Sequence, residues 1–177
     1  MKEDQNKFIK MINENQKIIN KVCFGYTNNM DDRLDLKQEI LIQLWKAYPK
    51  FNHKSKLSTW IYRIALNTAI SNFRKAKRKI AYKELLADDY QIPELKNDLV
   101  MKENIIEMYR FIYQLDDLDK AIILLYLDDQ PYSVIADVIG ISETNVATKI
   151  SRIKSKLKDQ FNKIKKIEDK KQWKTKI

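Results

Sequence analysis

Apolar residues recur every three or four positions along most of the chain. This spacing constrains the fold more than any other feature, because it is the signature of amphipathic helices. Phe8, Met11, Ile12, Ile18, Ile19, Val22, Cys23 and Tyr26 keep it across residues 4–26, which predicts one helix there. A second helix is expected from about Arg33 to Tyr48. Leu36, Ile40, Leu41, Leu44, Trp45 and Tyr48 share its face, with Trp45 as a core side chain. Pro49 ends it, since the residue before a proline disfavours the α region. A loop follows to Leu57, and Ser58 or Thr59 can cap a third helix from about Trp60 to Lys79. Residues 80–98 lose the pattern and contain Pro93, so they read as a linker. Helical spacing resumes from Leu99 to Tyr113. Asp116 or Asp117 can cap the next helix, which carries Leu118, Ala121, Ile122 and Leu125. After a turn at 128–131 come a short helix, 133–139, and a long one from Glu143 to about Ile164.

Composition removes several alternatives. Two glycines in 177 residues argue against a turn-rich β fold and against glycine-rich phosphate loops. One Cys and one His cannot form an internal disulfide or a Cys/His zinc site, and any catalytic pair would have to use His53. No cofactor and no metal is expected. No apolar run approaches the ~20 residues that span a bilayer, and the N-terminus has no secretory h-region. A cytoplasmic, soluble, all-α protein with no membrane insertion is therefore expected. Its net charge of +10 makes nucleic acid the first candidate partner.

The charge is unevenly distributed. Residues 74–83 hold Arg74, Lys75, Lys77, Arg78, Lys79 and Lys83 with no acid. Residues 84–98 and 115–129 are acidic, and the chain from Gly140 onward is strongly basic. Any one such block can be a solvated face. Two basic blocks, each joined to a motif, fit a phosphate-backbone footprint better.

The sharpest motif runs from Tyr132 to Lys154. Ala136 is small enough for two helices to cross steeply. Gly140, four residues on, can take the left-handed conformation that turns the chain. Ile141 plugs the turn, Ser142 can cap the next helix, and Val146 points back to the core. This combination fits a DNA-binding helix-turn-helix, against the plainer alternative of a helical hairpin. The face opposite Val146, Ile150 and Ile153 carries Asn145, Thr148, Lys149, Ser151, Arg152 and Lys154. Arg152 can pair bidentately with guanine, while the lysines suit phosphates.

The segment 45–73 interleaves Trp45, Tyr48, Phe51, Trp60, Tyr62 and Phe73 with Lys50, Lys54, Lys56 and Arg63. Aromatics beside cations suit single-stranded nucleic acid, where bases stack and phosphates need neutralising. Each aromatic can equally fill core. Asn67 sits in mid-helix, where Asn is disfavoured by propensity. It can face a base edge or satisfy a polar neighbour.

The stretch from Asp35 to Phe51, followed by Ser55-Lys-Leu-Ser-Thr-Trp-Ile-Tyr-Arg-Ile-Ala-Leu-Asn-Thr-Ala-Ile, closely resembles domain 2 of the extracytoplasmic-function RNA polymerase sigma factors. Residues 115–158 look like domain 4 of the same family. The resemblance implies two small helical domains joined by a flexible acidic linker: domain 2 over 1–80, the linker over 81–98, domain 4 over 99–165, and a basic tail over 166–177. It implies a promoter-specificity subunit that is not an enzyme. Its partners would be the clamp helices and flap of core RNA polymerase, promoter DNA, and an anti-sigma factor. Asp35, Gln38 and Glu39 match the core polymerase contact. Phe51, Asn52, His53, Lys54 and Lys56 match the loop that captures a flipped base of the −10 element, with Trp60 beside it and Asn67 lining the site. Arg74, Lys75, Lys77 and Arg78 match the hold on the melted strand. Asn145, Thr148, Lys149, Ser151, Arg152 and Lys154 lie where the −35 duplex is read. Two departures matter: Ala147 replaces a common Lys or Arg, and Asn52-His53-Lys54 replaces a common Arg-Gly-Glu/Asp. The competing reading is a stand-alone helix-turn-helix regulator, with the first half as a dimerisation domain.

Overall fold

The computed structural model describes residues 2–84 and 103–175. The described residues are helical apart from short connections: α1 (Lys2–Glu14), α2 (Gln16–Tyr26), α3 (Met30–Ala47), α4 (Leu57–Glu84), α5 (Glu103–Tyr113), α6 (Asp117–Tyr126), α7 (Tyr132–Ile139) and α8 (Glu143–Thr175), with one 3-10 turn at Tyr48–Lys50. The all-α expectation holds. Its element boundaries need four corrections. The first expected helix is two, because the Asn15 amide donates to the Met11 carbonyl at 2.8 Å and interrupts the ladder. The third begins at Leu57, so Ser58 and Thr59 lie within its first turn and Thr59 is buried. That helix continues to Glu84, past the expected start of the linker, and α8 continues to Thr175, through most of the expected tail. Neither extension contains Gly or Pro, and that of α8 is rich in Lys, a good helix former. The rest of the expected linker lies outside the described residues.

Helices α1–α4 form an N-terminal bundle whose interior holds Ile19, Val22, Ile40, Leu44, Ile61, Ala65 and Leu66. Asn29 caps α3 by accepting the Asp32 amide at 2.8 Å, and Asp31 and Asp32 favour the helix dipole there. Trp45 is not a core residue. It is 42% exposed and touches the bundle through its edge-on contact with Phe8, ring centroids 4.9 Å apart. Its helical spacing places it at the margin of the buried stripe, where an amphipathic ring can lie half in water.

Helices α5–α8 form a C-terminal bundle around Ile112, Ile122, Leu125, Ile135, Val146, Ile150 and Ile153. Gly140 makes the turn between α7 and α8 with φ of 80°. Its N–H bonds to the Ala136 carbonyl at 2.8 Å, and that of Ile141 to the same carbonyl at 3.2 Å. Ser142 Oγ then accepts the Asn145 amide at 3.2 Å, starting α8 as expected. The two bundles share one continuous core. Small bundles bury too little apolar surface alone, so each gains by covering the other.

Candidate nucleic-acid interface

Three surfaces carry the residues singled out by the sequence. The first is the edge of α4 with the loop before it. Residues seven apart on a helix fall on one stripe, so Trp60, Asn67 and Arg74 line up about 10 Å apart. Asn67 and Arg74 are exposed, and Trp60 is half-buried. The Phe51 ring lies against Trp60, with centroids 4.8 Å apart, and against His53 at 4.5 Å. Asn52, His53, Lys54 and Lys56 are exposed around this stack. Asn52 Oδ1 accepts the Lys54 amide at 3.2 Å and tightens the loop. His53 has φ of 57°, the left-handed region. Glycine takes that conformation without strain, whereas a residue with a Cβ does not. Lys75 is exposed on the next position of α4, and the side chains of Lys77 and Arg78 lie outside the described residues.

The second surface is α8. Asn145, Thr148, Ser151 and Arg152 are exposed on its outer face, while Val146, Ile150 and Ile153 are buried on the other. Lys149 and Lys154 are partly committed within the bundle. Lys149 Nζ donates to Asp119 Oδ1 at 2.8 Å, and Lys156 reaches the same carboxylate at 3.8 Å. Lys154 Nζ donates to the Tyr126 hydroxyl at 2.6 Å and lies 4.2 Å from that ring's centroid. The hydrogen bond holds its ammonium above the ordinary lysine pKa. Both remain able to present charge beside the exposed face.

The third surface is the outer face of α3. Asp35 and Gln38 are exposed, and half-buried Glu39 accepts from the Gln43 amide at 2.7 Å. Sequence reasoning missed their apolar neighbours. Leu34 and Ile42 are each 46% exposed and share a stripe with Gln38 and Trp45. An apolar stripe flanked by acids on a water-facing helix suits a protein partner. Its signal was present in the sequence as apolar residues off the core periodicity.

Among the described residues no group of three His, Cys, Asp or Glu is placed to hold a metal ion. None of the described helices is long and apolar enough to cross a membrane.

Comparison with known proteins places both halves in one family. The Sigma-70 region 2 family model matches residues 11–79, and the Sigma-70, region 4 model matches residues 105–157. The ECF RNA polymerase sigma factor SigW of Bacillus subtilis is 28% identical, over 90% of this chain and 91% of its own. The ECF RNA polymerase sigma-E factor of Haemophilus influenzae is 27% identical, over 74% of this chain and 75% of its own. Two solved structures have a similar fold. The sigma factor RpoE of Bartonella quintana, in complex with the anti-sigma factor NepR, has a TM-score of 0.70 at 16% identity. It covers 92% of this chain and 98% of that one. CnrH, in complex with the cytosolic domain of CnrY, has a TM-score of 0.63 at 17% identity, covering 89% of each chain. The first half is thus a region-2 bundle rather than the dimerisation domain that a stand-alone regulator would need. With region 2 and region 4 present in order, the chain belongs to the extracytoplasmic-function RNA polymerase sigma factors.

Proposed function

We propose that this sigma factor divides promoter recognition among the three surfaces. The stripe Trp60–Asn67–Arg74 and the 51–56 loop hold the melted −10 strand. The exposed residues of α8 read the −35 duplex, and the α3 stripe docks on the clamp helices of core polymerase. The observation that carries this reading is the alignment of an aromatic, an amide and a cation along one edge of α4, next to an aromatic loop. Stacking, base-edge hydrogen bonding and phosphate neutralisation are the three contacts that single-stranded DNA offers. Melting costs on the order of 1–2 kcal/mol per base step. Holding an extruded base and its phosphates offsets part of that cost. On this reading the protein binds and positions, and the polymerase makes the phosphodiester bonds. Its working place is the cytoplasm, and it carries no cofactor. Similarity to sigma factors solved with anti-sigma factors supports a protein inhibitor as a further partner.

Permanganate footprinting of promoter DNA with reconstituted polymerase tests the assignment. Wild type should give reactive thymines in the −10 region, while Asn67→Ala should bind polymerase normally and lose most of that reactivity. Undiminished reactivity would remove α4 from strand capture.

A further inference from the structure

The lysines of α8 are not equally available to a ligand, and the partners that decide this come from α6. Asn145, Lys149, Arg152 and Lys156 follow one another at intervals of three or four residues, so they form one stripe along the helix. Asp119 of α6 takes both lysines of that stripe. Its Oδ1 accepts Lys149 Nζ at 2.8 Å, and its Oδ2 faces Lys156 Nζ at 3.8 Å. Arg152 lies between the two lysines in the stripe and is exposed. On the other flank of α8, Lys154 Nζ donates at 2.6 Å to the hydroxyl of Tyr126, the last residue of α6. Between the two flanks Asn145, Thr148, Ser151 and Arg152 are exposed, and Arg152 is the one cation of these four.

The two α6 partners differ in kind. The Tyr126 hydroxyl offers a dipole, so it fixes the Lys154 ammonium without cancelling its charge. Asp119 offers a carboxylate, and one that is largely buried. Salt screens such a pair less than it screens a pair in open water. The distinction matters for DNA, because each phosphate that a cation neutralises releases counterions and adds about 0.9 to the slope of log affinity against log salt. An ammonium already met by a carboxylate adds less.

We propose that Asp119 is a positioning residue for DNA binding, which withholds Lys149 and Lys156 from the phosphates and leaves Arg152 as the working cation of their stripe. Asp119 touches no DNA itself and acts through the two ammoniums. Phosphate contacts strengthen binding to every sequence alike, whereas base contacts separate one site from another. Holding two lysines back therefore lowers the grip on duplex in general and raises the share of the contact that depends on base identity. The inference rests on the reading of α8 as the helix that faces the −35 duplex.

Fluorescence anisotropy tests this with the full chain and a short labelled duplex of random sequence, titrated from about 50 to about 200 mM KCl. Asp119→Asn, with helicity retained, should steepen the salt slope by about 1–2, so that affinity falls a further ~4- to 16-fold over that range. A substitution that merely loosened the bundle would weaken binding without steepening the slope. Asp119→Glu keeps the carboxylate and should keep the wild-type slope. Adding Lys149→Gln and Lys156→Gln to Asp119→Asn should abolish the gain. Lys154→Gln should instead flatten the slope by about 1 in either background, since its charge is not cancelled. A helical Asp119→Asn with an unchanged or flatter slope overturns the proposal, as does a gain that survives the loss of both lysines. If Asp119→Asn loses helicity, Lys149→Gln and Lys154→Gln are compared in the otherwise native chain. The first should flatten the slope less than half as much as the second, and equal flattening overturns the proposal. Arg152→Ala separates this failure from that of the underlying reading. If Arg152→Ala and Lys154→Gln both leave duplex binding unchanged at every salt concentration, α8 does not face the duplex and the −35 reading falls. If they weaken binding while Asp119→Asn leaves the slope unmoved, only the role of Asp119 falls.

Discussion

Lys149 of α8 donates to Asp119 of α6 at 2.8 Å, and the Asp119 carboxylate is only 12% exposed. A residue proposed to face DNA thus also fastens α8 to its own bundle. Arg152, one turn on, is exposed on the outer face. The two should separate in experiment. Lys149→Ala should cost about 1 kcal/mol of stability, because it removes the shorter of two ion pairs to a largely buried carboxylate and leaves only Lys156 at 3.8 Å. Arg152→Ala should leave stability within about 0.5 kcal/mol and lower promoter affinity by ~1–3 kcal/mol. Urea unfolding beside binding titrations of the holoenzyme distinguishes them, and equal stability losses would contradict this division.

The left-handed His53 predicts an ordering of substitutions. Val tolerates that region worst and should destabilise by about 1–2 kcal/mol, whereas Gly should stay within about 1 kcal/mol of wild type. Thermal unfolding checks the order, and indistinguishable Gly and Val variants would show that the loop relaxes freely.

The α3 stripe predicts a polymerase defect without a folding defect. Ile42→Asp places a charge where an apolar side chain is 46% exposed. It should weaken core polymerase binding about 10-fold or more and leave the melting temperature nearly unchanged. Unaltered affinity for the polymerase would move the docking surface elsewhere.

Alkali should destabilise the fold. Burial pushes the Cys23 thiol up to about 12, and it raises the Tyr26, Tyr62 and Tyr109 hydroxyls as well. The unfolded chain loses these protons first, so from about pH 9 upward it binds fewer protons than the folded chain, and stability falls. Burial lowers Lys21, which acts in the opposite sense in the same window, one group against the four that burial raises. Each raised group contributes at most about 1.4 kcal/mol per pH unit. Denaturant unfolding at pH 8 and 10.5 reads the difference, and a flat profile would show that the hydroxyls are wetted.

The helices and the turn at Gly140 were legible because spacing and a single conformational demand encode them locally. Trp45 was misplaced because periodicity identifies a stripe but not its margin. The break at Asn15 was hidden, since one side-chain hydrogen bond decides it against continuous apolar spacing. The role of Gly25 was invisible. A Cβ there would come within 2.6 Å of Leu124 Cδ1. Leu124 is nearly a hundred residues away, and no local pattern announces a partner at that distance. Asp117 and Asp128 read only as parts of an acidic segment, and Asp137 only as a position of the helix-turn-helix, until the fold set them opposite Arg74, Lys21 and Arg63.

Run-off transcription with core polymerase on a genomic fragment library measures promoter selection directly. With this chain added, discrete transcripts should appear whose start sites share one element near −10 and another near −35. They should disappear with Asn67→Ala and Arg152→Ala combined. Transcripts no different from those of core polymerase alone, or undiminished by that double substitution, would contradict promoter selection by these two surfaces.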